Sequence, residues 1–379
     1  MFTNEGKSHV LIKIEDKLLQ SSSVFLSFAC IRELNSYIVP TLELQLLDTA
    51  DYLINFKVVQ GMKVSVLLAQ KVSDNARWID FRIFSIQNRP YPGQGVLYSI
   101  TGYYDFHEYL YKIQSKVYDS ISSSGLAKLI VQQSGKLLGD IDDTLDVRSW
   151  QCNLETLGRF WLKSVVPQSK AQNNGFMMQC LSAFSNTLYY KDIISVVTKP
   201  TKWSLINTTA IQKGKYNFLF DQDIYTDNGG LFNKVAYGLK NAVFDMLSGT
   251  LSESTRIKAT RTDSKLNINK SLLTKSFKTF SPLDFGNSST GLKDAGTNMR
   301  HESTYSVSLD VLVRSYTNIV PFDYCRVDFV SQYNKSGVDT TKSGNYICIG
   351  KARVATPNNY AERICMLRNS LHSSSDQLV

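Results

Sequence analysis

GMKVSVLL (61–68), ARWIDFRIFSI (76–86) and GVLYSITGYY (95–104) share a pattern with PFDYCRVDFV (321–330), GNYICIGKARV (344–354) and YAERICMLR (360–368). Each set opens on Gly or Pro. An alternating strand follows, then a loop, a second strand opened by an aromatic, a turn and a third strand. A chain that carries one β-module twice uses both copies as equivalent building units. That points to a part of an assembly and away from an enzyme built round a single pocket.

At 379 residues the chain exceeds one ordinary core, so two or three domains are expected. Apolar content of 43% and charged content of 20% are those of a folded protein. No apolar run approaches the ~18 residues of a membrane span. The first residues, MFTNEGKSHV, lack the apolar core of a signal peptide, so nothing argues for secretion. Cys30, Cys152, Cys180, Cys325, Cys348 and Cys365 are scattered with no C-x-x-C pair, which reads as buried reduced thiols in a reducing compartment.

The net charge of +9 is concentrated. Arg256, Lys258, Arg261, Lys265, Lys270, Lys275 and Lys278 stand against one acid, Asp263. This segment is either a solvated face or a surface toward an acidic partner, protein or nucleic acid. Only Phe277 and Phe280 accompany it, which gives base stacking little to work with.

Alternation at Val10/Ile12/Ile14, Leu42/Leu44/Leu46, Met62/Val64/Val66/Leu68, Ile79/Phe81/Ile83 and Val96/Tyr98/Ile100 predicts an antiparallel sheet over the first hundred residues. Closure into a barrel is expected, because it hides sheet edges. Beyond Tyr104 the pattern turns helical. A short helix is expected over 105–113. A second is capped at Ser122–Ser124, carries Leu126, Leu129, Ile130 and Leu137, and ends at Gly139. A third runs from Asn153 to Val165 and is stopped by Pro167, and a fourth carries Phe176, Met177, Cys180, Leu181 and Phe184. A hairpin follows, with strands Thr187–Tyr190 and Ile193–Thr198 about a Lys191-Asp192 turn. Strands resume over 215–220 and 231–244. Tyr305, Val307, Leu309, Val311 and Val313 then lead into the second module, and 373–379 is a loose tail.

No motif supplies a reaction centre. His107-Glu108 begins H-E-x-x-H, but Tyr111 occupies the second ligand position. Asp221, Asp223 and Asp227 resemble a calcium loop, yet Tyr225, Thr226 and Phe232 stand where a ligand, a turn glycine and a bidentate Glu are needed. Asp140, Asp142, Asp143 and Asp146 fail in the same way. Gly93-x-Gly95 and Gly135-Lys136 lack the remaining glycines of a phosphate cradle, and G-x-S-x-G is absent. No catalytic, cofactor or metal site is expected. Tyr103-Tyr104, Tyr109, Tyr111 and Tyr189-Tyr190 read as strand and core packing, or as a subunit interface.

The order of parts resembles the central hub proteins of phage baseplates and related contractile injection machines. VPTLELQLLD (39–48) resembles a core strand with its acidic turn, and ITGYYDFHEYL (100–110) the strand that leads into the helical block. GFMMQCLSAFSNTLYYKDIISVV (175–197) resembles the helix-plus-hairpin element, and IVPFDYCRVDFV, SGNYICIGKARV and NYAERICMLRNSL resemble the closing strands of the second barrel. Two features depart from the pattern: the 170–175 loop is long, and the basic segment has no counterpart.

The resemblance implies a mixed α+β, mainly β fold. Two tube-like antiparallel β-barrels, 1–115 and 206–245 with 300–371, would flank a small α/β domain at 116–205. An inserted basic segment (246–299) and a tail (372–379) complete the chain. It further implies a non-enzymatic homotrimer in the virion, assembled in the host cytoplasm without stable membrane insertion. Six barrels would form a pseudo-sixfold ring on the sixfold tail tube, and the opposite face would hold the threefold spike. Tail tube and spike proteins are the expected partners, with tape-measure and wedge proteins at the margins and DNA only in passage. Two other readings stay open: nucleic-acid binding through an OB-like barrel with 255–278, and a cell-wall hydrolase.

Overall fold

A computed structural model describes residues 9–19, 23–34, 38–69, 76–172, 176–208, 214–218, 224–227, 240–245, 250–253, 278–281, 307–330, 337, 339 and 342–368. The alternating segments are strands: β1 (His9–Ile14), β2 (Lys17–Leu18), β3 (Val24–Leu34), β4 (Thr41–Asp48), β5 (Lys63–Ala69), β6 (Ile79–Tyr91) and β7 (Gly95–Tyr104). Leu42, Leu44 and Leu46 of β4 are buried while their neighbours are half-exposed, as a one-faced sheet requires. A single helical turn, α1 (Tyr52–Asn55), links β4 to β5.

The middle of the chain holds α2 (His107–Leu110), β8 (Ile113–Ile121), α3 (Ser123–Ser134), β9 (Leu138–Ile141) and β10 (Arg148–Thr156). Next come α4 (Leu157–Phe160), a π-helical turn (Trp161–Val165) and α5 (Val166–Gln168), then β11 (Met177–Ser182), β12 (Thr187–Asp192) and α6 (Ile193–Val197). Ser122 caps α3 by accepting from the Gly125 amide at 3.0 Å. Four expectations are corrected here. Helix α3 ends at Gly135, whose left-handed backbone closes it, and Gly139 lies in β9. The Asn153–Val165 helix begins only at Leu157, because β10 runs on to Thr156, which caps it. Met177–Ser182 is a strand, buried along its whole length. Residues Ile193–Val197 form a helix capped by Asp192, and the hairpin partner of β12 is β11.

The second half contributes β13 (Trp203–Asn207), β14 (Tyr216–Asn217), β15 (Ile224–Asp227), β16 (Lys240–Asp245), β17 (Thr250–Glu253) and β18 (Lys278–Ser281). It ends with β19 (Val307–Val313), β20 (Tyr324–Phe329), β21 (Gly344–Thr356) and β22 (Asn359–Arg368).

Two groups of strands pair in the same order: β3-β4-β7-β6-β5-β1 and β15-β19-β22-β21-β20-β13. The middle strands β6 and β21 are both 13 residues long, and their hairpin partners β7 and β22 are both 10. Each middle strand is bulged at its sixth residue, Phe84 in β6 and Ile349 in β21. Leu42, Leu44 and Leu46 face Gly102, Ile100 and Tyr98, and Leu309, Val311 and Val313 face Met366, Ile364 and Glu362 at the matching positions. Among the described residues the strand directions of the two groups differ at the last strand: β1 runs antiparallel to β5, whereas β13 runs parallel to β20.

The two groups join edge to edge, since β3 pairs with β21. The result is one 14-stranded sheet that, among the described residues, does not close on itself. Its core is divided. Residues such as Ile14, Leu44, Phe81, Phe160 and Trp161 share one cluster beneath the first group and the helical block. Leu309, Val327, Tyr346 and Met366 share a second beneath the later strands.

Candidate assembly interface

The junction of the repeated units is the most specialised place in the described structure. Strand β21 divides its outer edge between two partners. Residues 344–347 pair with β20, and residues 350–355 pair with β3 from Gly350 opposite Leu34 to Ala355 opposite Ala29. The Ile349 bulge separates the two stretches. Gly350 has φ +152°, and a Cβ there would stand 2.2 Å from the Glu33 carbonyl oxygen. Only glycine lets β3 approach at this point.

Four charged residues gather over the seam. Lys351 and Glu362 are 3% and 0% exposed, and their Nζ and Oε1 atoms lie 2.8 Å apart. Lys351 also donates to the Ile319 carbonyl at 2.6 Å. Glu362 Oε2 accepts from the Thr317 amide, and Arg353 lies 3.5 Å from Glu362 Oε1. Glu33, fully buried on β3, accepts from the Phe184 amide at 3.4 Å. Burial pushes its carboxyl up from 4.5 to about 6, against the pull of Lys351, Ser182, the Phe184 amide and Arg353. Two acids therefore face two bases, which is the arrangement that makes burial of charge tolerable.

The helical block roofs this seam. The Arg353 guanidinium lies over the Phe184 ring at 4.3 Å and the Tyr316 ring at 4.7 Å. Phe176, Met178, Cys180 and Ile193 pack with Tyr324 and Ile347 of the later strands and with Phe322 in the turn before β20. The first strand group, the later strand group and the helical block thus meet around Glu33 and Lys351. The sequence signal was Lys351, a base within the apolar run ICIGKARV, which composition alone does not single out.

Other residues singled out from sequence fall elsewhere. Arg256, Lys258, Arg261, Lys265, Lys270 and Lys275 lie outside the described residues, and Lys278 opens β18. Asp221 and Asp223 also lie outside, while Asp227 ends β15. The 140–146 acids hold the fold together. Asp140 and Asp142 grip Lys191 at 2.6 and 2.8 Å, Asp143 pairs with Lys128 at 2.7 Å, and Asp146 accepts from the Ser123 amide at 3.1 Å. Among the described residues no group of His, Cys, Asp and Glu is placed to hold a metal ion, and no helix is long and apolar enough to cross a membrane. All six cysteines are free and five are buried; burial raises the thiols of Cys180 and Cys348 well above the usual range. Tyr104, Tyr109, Tyr189 and Tyr190 are core residues, whereas Tyr111 is exposed. Exposed apolar side chains cluster on the β8–β10 ribbon, at Ile113, Val117 and Leu154.

No protein-family model matches the chain, and no curated protein matches it by sequence. Solved structures do match. A tail protein from Neisseria meningitidis MC58 aligns with a TM-score of 0.62 at 8% identity, over 98% of this chain and 99% of that one. The 43 kDa tail protein of prophage MuSo2 from Shewanella oneidensis aligns at 0.61 and 12% identity, over 96% and 98%. An E. coli component of the type VI secretion system, itself described as structurally similar to T4 bacteriophage tail proteins gp27 and gp5, aligns at 0.51 and 9% identity, over 96% and 78%. Along nearly its whole length the chain has the fold of phage tail proteins, as its resemblance to baseplate hubs implied.

Proposed function

We propose that this chain is the structural hub of a phage tail baseplate: a homotrimeric adapter between a sixfold tail tube and a threefold spike, lining the channel through which DNA passes. The observation that carries this reading is the repeated strand order, β3-β4-β7-β6-β5 against β15-β19-β22-β21-β20. Three copies present six such units, and a closed ring needs like surfaces at each joint. The likeness to tail proteins over almost the whole chain supports the same role. In this reading each strand group forms one tube-like barrel, 1–115 and 206–245 with 300–371, and the 116–205 block sits between them. The β8–β10 ribbon, with Ile113, Val117 and Leu154 outward, offers an apolar surface to a neighbour in the baseplate. The role is mechanical, and the place of the protein is the virion.

Analytical ultracentrifugation of the purified chain tests the reading. Trimers, alone or on addition of the spike protein from the same particle, are expected. A stable monomer under both conditions overturns it. DNA affinity measured across salt separates this role from nucleic-acid binding. A hub that only passes DNA gives weak binding with a shallow salt slope, whereas several phosphate contacts give a steep one.

A further inference from the structure

The two strand groups match in register but not in what covers them. Phe84 and Ile349 are the bulge residues of β6 and β21. Around them Arg82 faces Tyr103 where Ile347 faces Leu367, and Lys63 faces Arg82 where Tyr324 faces Ile347. In the later group this place is apolar and occupied: Tyr324, Ile347, Ile349 and Leu367 pack with Phe176, Met178 and Ile193 of the helical block. In the first group the matching place is open. Phe84 is 51% exposed and belongs to none of the three core clusters. Its ring meets that of Tyr103 edge to face, with centroids 4.9 Å apart. Tyr111, also exposed, stands close by, its phenol pushed up by partial burial and then by Tyr103 and Asp105. The charges round this centre are paired, Lys63 with Asp80 at 3.2 Å and Arg82 with Asp105 at 3.0 Å. An aromatic centre inside a rim of satisfied polar groups is the anatomy of a protein–protein interface. A bulge that aims a large ring outward is a second mark of a contact position.

We propose that the patch of Phe84, Tyr103 and Tyr111 docks the threefold spike protein, through an apolar element of the kind that the helical block supplies to the later strand group. The chain itself shows what such a patch takes: at the matching place Ile349 packs into the cluster that holds Met178 and Ile193. The chain has two strand groups but one helical block, and that block is already engaged by the later group. A ring of three copies therefore carries three covered places and three open ones in alternation. The alternation lowers six like units to threefold symmetry, which is the symmetry of the spike and not that of the tail tube. This inference rests on the hub reading for the ring and for the spike, whereas the open patch and its covered counterpart come from the chain alone.

Binding of the spike protein from the same particle to the full chain, measured by biolayer interferometry, tests it, with sedimentation reporting the trimer in parallel. Phe84→Asp is expected to weaken spike binding at least about tenfold, as loss of a central interface aromatic does. Phe84→Leu keeps an apolar side chain and should retain most of the affinity. Leu18→Asp changes a side chain of similar exposure on β2 and should leave binding as it is. Circular dichroism checks folding, and Tyr111→Asp serves if Phe84→Asp does not fold. Undiminished spike binding by a folded Phe84→Asp chain overturns the inference and leaves the hub reading standing. So does loss of the trimer in Phe84→Asp, which would place the patch between copies, and so does loss of tail tube binding with spike binding intact. A wild-type monomer, with and without the spike, overturns both.

Discussion

Lys351 and Glu362 face each other diagonally across the β21–β22 hairpin, 2.8 Å apart and closed off from solvent. Glu362 also takes the Thr317 amide and lies beside Arg353. Removing its charge leaves the buried Lys351 and the half-buried Arg353 short of an anion. Glu362→Gln is therefore expected to lower unfolding free energy by about 3–5 kcal/mol, read from urea midpoints at constant slope. The double change Lys351→Met with Glu362→Leu should recover most of that loss, because a well-packed apolar pair avoids the desolvation cost altogether. Equal destabilisation by the single and double variants would sink this account of the seam.

Gly350→Ala tests the close approach of β3. The added methyl meets the Glu33 carbonyl, in a backbone region that L-residues rarely adopt. A loss of about 2–3 kcal/mol is expected. Gly61→Ala is the control: its φ is +85°, but a Cβ there meets nothing within 4 Å, so only the conformational term of about 1 kcal/mol remains. If both glycines cost the same, crowding at the seam is not what fixes Gly350.

The strands legible in the sequence are those buried on one face. Leu42, Leu44 and Leu46 alternate with half-exposed neighbours, and period two follows directly. The cap at Ser122 was legible because a hydroxyl before an apolar helical stripe has one common use. Strand β11 was not legible. Met177–Ser182 is buried on both faces, so it carries no alternation, and Phe176, Cys180, Leu181 and Phe184 imitate helical spacing. Leu154 misled in the same direction. It fits a helical stripe, yet it sits in β10 with positive φ and 79% of its surface exposed. The seam was illegible for another reason: Glu33 and Lys351 come from strands far apart in the chain, and only the β3–β21 register brings them together.

Glu33 gives the seam a pH dependence of defined sign. Its carboxyl titrates at about 6 in the folded chain against 4.5 in the reference state, so the native state holds the proton more tightly. The associated stability is complete below about pH 4.5 and is lost as pH rises through about 6, a total of ~2 kcal/mol. Glu33→Gln removes the titration. Subtracting the variant's stability from that of the wild type, by chemical unfolding between pH 4 and 8, should give a difference that falls by about that amount and then levels off. A flat difference would show that Glu33 stays ionised throughout and that Lys351 and Arg353 outweigh its burial.

Asp48 shows how an acid at a strand end sets the path of the chain. It is 1% exposed. Its carboxylate accepts from the amides of Ala50, Tyr52 and Leu53 at 3.2, 3.0 and 2.7 Å. Those donors belong to the first turn after β4, where a four-residue helix has no other acceptor for them. Leu53, held by the shortest of these bonds, is buried in the core beneath the first strand group. Asp48→Ala strands the amides and is expected to cost about 2–3 kcal/mol, whereas Asp48→Asn keeps one accepting oxygen and should cost less. Hydrogen exchange localises the effect: the amides of Ala50, Tyr52 and Leu53 should exchange faster in Asp48→Ala, while those in the centre of β4, such as Leu44, keep their protection. Uniform loss of protection along β4 would mean that Asp48 holds the sheet as a whole and not the turn that feeds β5.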